Sequence, residues 1–157
     1  MLEQSSLLDE IKGMLLNSNL LNNFPPAEIV SASLYFSLNH VVKDELIFQE
    51  GDKGTFMCLI IEGHVSVQKA NQDDENVELA NVGKDRTIGE MAVLDGERRS
   101  ASCYAASDCT LLILSKDSLE KMMLDSPRIA AKVIRAIAIS LSRRLRMADG
   151  KLVDYLG

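Results

Sequence analysis

The residues able to do chemistry in this 157-residue chain gather in one segment, Ile88-Gly-Glu-Met-Ala-Val-Leu-Asp-Gly-Glu-Arg-Arg-Ser-Ala-Ser-Cys103. It sets the carboxylate of Glu90, at its start, against two guanidiniums, Arg98 and Arg99, with Asp95 and Glu97 in the turn between. The segment leaves an apolar run at Gly89, makes about one helical turn from Glu90 to Leu94, turns at Asp95-Gly96 and re-enters an apolar run. A one-turn helix between strands offers N–H groups that lack an intrahelical acceptor, and such groups converge on anions. An arginine beside them adds a planar fork that matches phosphate oxygens. This chemistry is capture of a phosphate-bearing ligand. Seen alone, Glu90 would be a solvated turn carboxylate and Arg98-Arg99 a surface pair; the spacing of Arg99 from Gly89 and Glu90 favours a ligand role for Arg99, with Arg98 a surface feature.

Positioning such a segment requires strands on both sides, and the sequence supplies them. From Phe36 to Leu114 short β-type runs recur: Phe36 to Val42, Leu46 to Gln49, Phe56 to Glu62, His64 to Lys69, Val77 to Val82, Ala101 to Ala105 and Thr110 to Leu114. Turn residues separate them, among them Glu50-Gly51-Asp52 and Glu62-Gly63, with Gly63 suited to a tight hairpin. Strands this short and regular predict an antiparallel sandwich or roll. Helical spacing precedes them, in Leu7, Leu8, Ile11, Met14 and Leu15 and again after Pro25-Pro26. Helices also follow. Asp117-Ser-Leu-Glu120 has the form of a capping box, and Ser126-Pro127 opens a longer helix whose Ile134, Ala138, Leu141, Leu145, Ala148, Leu152 and Tyr155 keep a heptad rhythm, with Gly150 as an interruption.

The pattern Gly-Glu-(apolar)-Ala-(apolar)-(apolar)-x-Gly-x-x-Arg-Ser-Ala, which begins at Gly89, resembles the phosphate-binding cassette of the cyclic-nucleotide-binding domain family, of the catabolite activator and protein kinase A regulatory subunit type. Glu50-Gly-Asp52, the run from Phe56 to Gly63, and Ser142-Arg-Arg-Leu145 resemble the family's first hairpins and its C-terminal helix, so the resemblance spans roughly Leu20 to Ala148. It implies a mainly β fold with flanking helices: an antiparallel β-roll (jelly roll, double-stranded β-helix) with an N-terminal helical segment, a short cassette helix and a long C-terminal helix. One domain is expected over 1–157, with N-terminal helices in 1–35, the roll in 36–115 with its cassette at 88–103, and C-terminal helices in 117–157. The resemblance places the ligand against Gly89, Glu90, Met91, Ala92, Arg99, Ser100 and Ala101. It implies that Glu90 accepts from the ribose 2′-hydroxyl, that Arg99 takes the cyclic phosphate and that the Ser100 and Ala101 amides complete the cradle. Ile88 stands where the family often has phenylalanine, and Asp149 stands near the position that meets the adenine amino group.

Composition narrows the function further. An apolar content of 46% can build one sizeable core, and 25% charged residues without a long single-sign block is usual for a globular chain. A net charge of −6 and a pI near 4.9 argue against broad nucleic-acid binding. No sequence after Gly157 could form a helix-turn-helix, so direct DNA recognition is not expected of this chain. No secretory signal is visible, and the apolar stretch from Ile129 to Leu145 is broken by Lys132, Arg135, Arg143 and Arg144, which excludes a membrane span. Cys58, Cys103 and Cys109 form no Cys-x-x-Cys pair, as expected of reduced thiols in a cytoplasm. His40 and His64 are isolated and read as structural, so a metal-dependent enzyme on a similar roll lacks its ligands, and neither metal nor cofactor is expected. The function expected is a non-enzymatic sensor of a cyclic mononucleotide, cAMP ahead of cGMP, that couples binding to its C-terminal helix, to a homodimer interface along that helix or to a downstream protein. The alternative is a degenerate member that binds no nucleotide and serves as a dimeric scaffold.

Overall fold

The computed structural model describes the backbone from residue 2 to residue 156 and the side chains from residue 6 to residue 150. Helices α1 (Leu2–Asn17) and α2 (Pro26–Ser33) lead into β1 (Ser37–Val41), β2 (Leu46–Phe48), β3 (Phe56–Glu62), β4 (Val65–Ala70), β5 (Asn76–Val82) and β6 (Thr87–Ile88). Then come α3 (Glu90–Asp95), β7 (Ser102–Ala105), β8 (Cys109–Ser115), α4 (Lys116–Asp125) and α5 (Pro127–Leu156). The strands form two four-stranded antiparallel sheets, in the orders β1-β8-β3-β6 and β2-β7-β4-β5. This is the expected roll with its flanking helices.

The apolar runs of β3 and β8 are continuous rather than alternating because their sheet is buried on both faces. Met57, Leu59, Leu112 and Leu114 pack with the helices, in one cluster with Leu15, Leu21, Ile29, Met122, Val133 and Ile137. Their sequence neighbours Cys58, Ile60, Cys109 and Leu111 point the other way, into the roll with Val41, Phe48, Val65, Ile88 and Cys103. Period-two alternation thus divides two cores between the faces of one sheet. Burial of each large side chain contributes about 1.5–3 kcal/mol. The cassette is inserted between β6 and β7, one strand of each sheet, so both sheets fix its ends.

Three local expectations are corrected. The two-residue strand β6 was not anticipated, because Thr87–Ile88 is too short to carry a periodic signal. The capping box does not open α4: β8 runs straight into the helix, and the Ser115 hydroxyl accepts the Ser118 N–H at 3.0 Å, which leaves Asp117 in the first turn. Gly150 does not interrupt α5, which continues to Leu156. Glycine costs about 1 kcal/mol inside a helix but ends one only where it adopts a left-handed conformation, and Gly150 does not. Gly63 does adopt that conformation, at φ +95°, in the turn between β3 and β4.

Candidate functional site

The cassette begins at Gly89, which enters α3 at φ +77°, a conformation that side chains resist. A β-carbon there would also lie 2.4 Å from Arg99 Nη1 and 3.2 Å from the Phe56 carbonyl oxygen. Residue 89 must therefore be glycine for Arg99 to pass. Beyond it α3 buries Glu90, Ala92 and Val93 and exposes Met91 and Leu94. Ala92 rests on Gly54, where a β-carbon would come within 2.0 Å of the Ala92 methyl.

The far side of the cassette is held by the Gly51–Asp52 turn. Gly51 N–H donates to the Arg99 carbonyl at 2.9 Å, and Arg99 N–H donates to the Asp52 carbonyl at 2.8 Å. These bonds aim the side chain of Arg99 inward. Arg98, next to it, stays exposed and donates to the Gly51 carbonyl at 3.0 Å.

Arg99 is only 4% exposed. Its Nη1 donates to the Gly89 carbonyl at 3.0 Å and its Nη2 to the Phe56 carbonyl at 2.6 Å. The guanidinium carbon lies 3.8 Å from the centre of the Phe48 ring and 4.9 Å from that of Phe56, two rings set edge to face. Its Nε–H is buried without an acceptor, and among the described residues no carboxylate pairs with it. Burial pulls its pKa below the ordinary guanidinium value, while Cys58, Cys103 and Asp52 act to raise it. The two thiols supply no charge near neutral pH, since burial pushes both up to about 12 despite the pull of Arg99. The site therefore holds a buried cation that forms no ion pair among the described residues, Asp52 acting on it without direct contact.

Glu90 is 2% exposed, and its Oε1 accepts from the Thr87 hydroxyl at 3.1 Å and pairs with the Arg144 guanidinium of α5. Arg144 Nη1 also reaches the Thr87 carbonyl, at 3.4 Å. Burial, and secondarily the neighbouring Arg86 cation, disfavour the charge of Arg144, and the Glu90 carboxylate answers it. Sequence reasoning assigned no site role to Arg144, although it stands as a cation one residue before Leu145 in an apolar rhythm. Phe48 and Phe56 were missed as well, because aromatic residues in strands read as core.

Gly89, Glu90, Ala92 and Arg99 are thus brought together in one place, and Met91 stands exposed on the same helical turn. Ser100 and Ala101 follow directly; their N–H groups donate to no acceptor among the described residues, while the Ser100 carbonyl accepts from Lys69 Nζ at 2.9 Å. Asp149 lies apart from this cluster, exposed on α5 about 7.5 Å along the axis beyond Arg144. Chemically the arrangement offers a buried planar cation, two following amides free of protein acceptors among the described residues, and a buried carboxylate next to the Gly89 that the cation bonds, a set suited to an anion that also carries a hydroxyl.

A family model described as a cyclic nucleotide-binding domain matches residues 38–126. The chain is similar to the cyclic AMP receptor protein of Thermus thermophilus, 32% identical over 135 residues, which cover 86% of this chain and 61% of that protein. It is also similar to a CRP-like cAMP-activated global transcriptional regulator of Mycobacterium tuberculosis, 24% identical over 149 residues, or 95% of this chain and 63% of the relative. The chain thus spans a little over three fifths of the length of these two relatives. A solved cyclic nucleotide-binding domain from Methylobacillus flagellatus superimposes with a TM-score of 0.82 at 28% identity, covering 94% of this chain and 83% of that one.

Proposed function

Because the chain belongs to the cyclic nucleotide-binding domain family, we propose that it is a regulatory module whose cassette holds cAMP and whose α5 carries the consequence of binding. The observation behind this reading is Arg99. Burying a guanidinium without a partner costs several kcal/mol, which the two phenylalanine rings and two carbonyls offset only in part. A cyclic phosphate at the unpaired Nε, bridged by the Ser100 and Ala101 amides, provides the anion. Glu90 keeps Oε2 for the ribose 2′-hydroxyl, since Thr87 and Arg144 both engage Oε1. Gly89, Met91 and Ala92 shape the wall that the sugar lies on.

Asp149 is the assigned contact of the base. Its carboxylate accepts from the adenine amino group, and the choice of cAMP over cGMP follows the two cAMP-named relatives. Coupling runs through Arg144, because a ligand that changes how Glu90 meets Arg144 biases the position of α5. The exposed Leu145, with Ala138 and Ala148 on the same side of that helix, suits a homodimer seam or a downstream protein. This reading gives the chain binding rather than catalysis. Its three buried, unbridged cysteines suit a reducing cytoplasm.

Thermal melts with cAMP, cGMP and cyclic di-GMP test the reading. A ligand that binds only the folded state stabilises it by about 2.7 kcal/mol at a hundredfold excess over Kd, and cAMP should raise the melting temperature most. No shift with any of the three would favour a scaffold that binds no nucleotide.

A further inference from the structure

Apart from the cassette, a groove of about 650 Å³ lies between the segment joining α1 to α2, the turn before β6 and one side of α5. None of the residues assigned to the nucleotide lines it. Four cations do: Arg86 from the turn, and Lys132, Arg135 and Arg143 from α5. Lys132 is already committed, to the Glu28 carboxylate and the face of Phe24 at 5.3 Å. Arg86, Arg135 and Arg143 form no ion pair among the described residues. The opposing carboxylate in the groove is Asp85, whose Oδ1 accepts from the Asn19 N–H at 3.4 Å. In a chain of net charge −6, three uncommitted arginines converging on one groove make a local field of opposite sign.

The spacing of the arginines selects the shape of the occupant. Arg135 and Arg143 are eight residues apart on one helix, about 12 Å at 1.5 Å per residue, too far for one phosphate to meet both. An extended polypeptide covers about 13 Å in four residues, and residues two apart share a face. Between the two arginines the groove presents Ile139, with Phe24 also in its lining, and Asn22, Asn23 and Ser140 offer polar groups to a peptide backbone.

We propose that this groove docks an extended acidic segment of a partner protein, in which two carboxylates four residues apart bracket an apolar side chain. The carboxylates meet Arg135 and Arg143, Arg86 adds to the field, and the apolar residue lies on Ile139.

The test is fluorescence anisotropy of the full chain with a fluorescein-labelled peptide, Ser-Glu-Gly-Leu-Gly-Glu-Ser. Saturable binding is expected, weakened about fivefold or more by Arg135→Glu and by Arg143→Glu, and also by placing the two glutamates side by side in the peptide. Both arginines are exposed, so the variants should melt as the wild type does, and Arg135→Gln and Arg143→Gln should follow the same order. No saturable binding overturns the proposal, as does binding that survives both reversals. Tripolyphosphate that binds more tightly than the peptide and displaces it would reassign the groove to a small polyanion. Titration of cAMP into the same variants reads the cassette separately: unchanged cAMP binding with lost peptide binding supports the groove, and a chain that takes the peptide but no cAMP refutes the cassette reading alone.

Discussion

A guanidinium buried as deeply as Arg99 usually carries a carboxylate with it, and here two phenylalanine rings and two carbonyl oxygens hold it instead. Glu90 is the opposite case, a buried carboxylate that has found its partner in Arg144. The two residues should therefore respond differently to changes in the ligand. If Glu90 meets the ribose hydroxyl, the wild type binds cAMP more tightly than 2′-deoxy-cAMP, and Glu90→Gln, which keeps an acceptor oxygen but loses the charge, narrows that gap. Equal binding of both nucleotides by the wild type would remove Glu90 from the ribose. Glu90 and Arg99 were legible as candidates because the Gly-Glu to Arg-Ser-Ala pattern that carries them resembles the family's cassette. Arg144 was not, since its partner lies fifty-four positions away and no local pattern encodes that meeting.

At the scale of elements, the cassette is held by close approach as well as by polar contacts. Gly54→Ala would drive a methyl into Ala92, and since both belong to fixed backbone, α3 must shift. Overpacking of this kind costs about 1–3 kcal/mol, or roughly 2–4 °C of melting temperature per kcal/mol for a domain of this size, and it should weaken cAMP binding as well. Gly13→Ala is the control: it lies within α1 with open space around it, so it should raise the melting temperature slightly. An unchanged melting temperature in Gly54→Ala would mean that α3 does not rest on that turn. The strands were readable from their apolar runs and turn residues, because turn chemistry is local. The start of α4 was misread because a serine that ends a strand can also cap a helix, and only the path of the chain shows which residue takes that role.

For the whole molecule, the heptad rhythm of α5 describes two surfaces rather than one seam. Ile134 and Leu141 pack against the chain's own helical core, whereas Ala138, Leu145 and Ala148 are exposed, and Leu152 and Tyr155 lie outside the described side chains. Periodicity alone could not divide them, since an apolar stripe looks the same whether its own sheet or a second chain covers it. If the exposed half forms a homodimer, Leu145→Asp, at a residue 64% exposed here, places a charge in that seam and should give a monomer by sedimentation. A wild type that is already monomeric at tens of micromolar would remove the dimer and leave the binding site untouched. The most direct test of the site itself is calorimetric titration of cAMP into the wild type, Arg99→Ala and Arg98→Ala. The account predicts binding by the wild type, an affinity lowered at least about tenfold in Arg99→Ala through loss of a charge-assisted contact, and little change in Arg98→Ala. Normal binding by Arg99→Ala, or no binding of cAMP by the wild type, would contradict it.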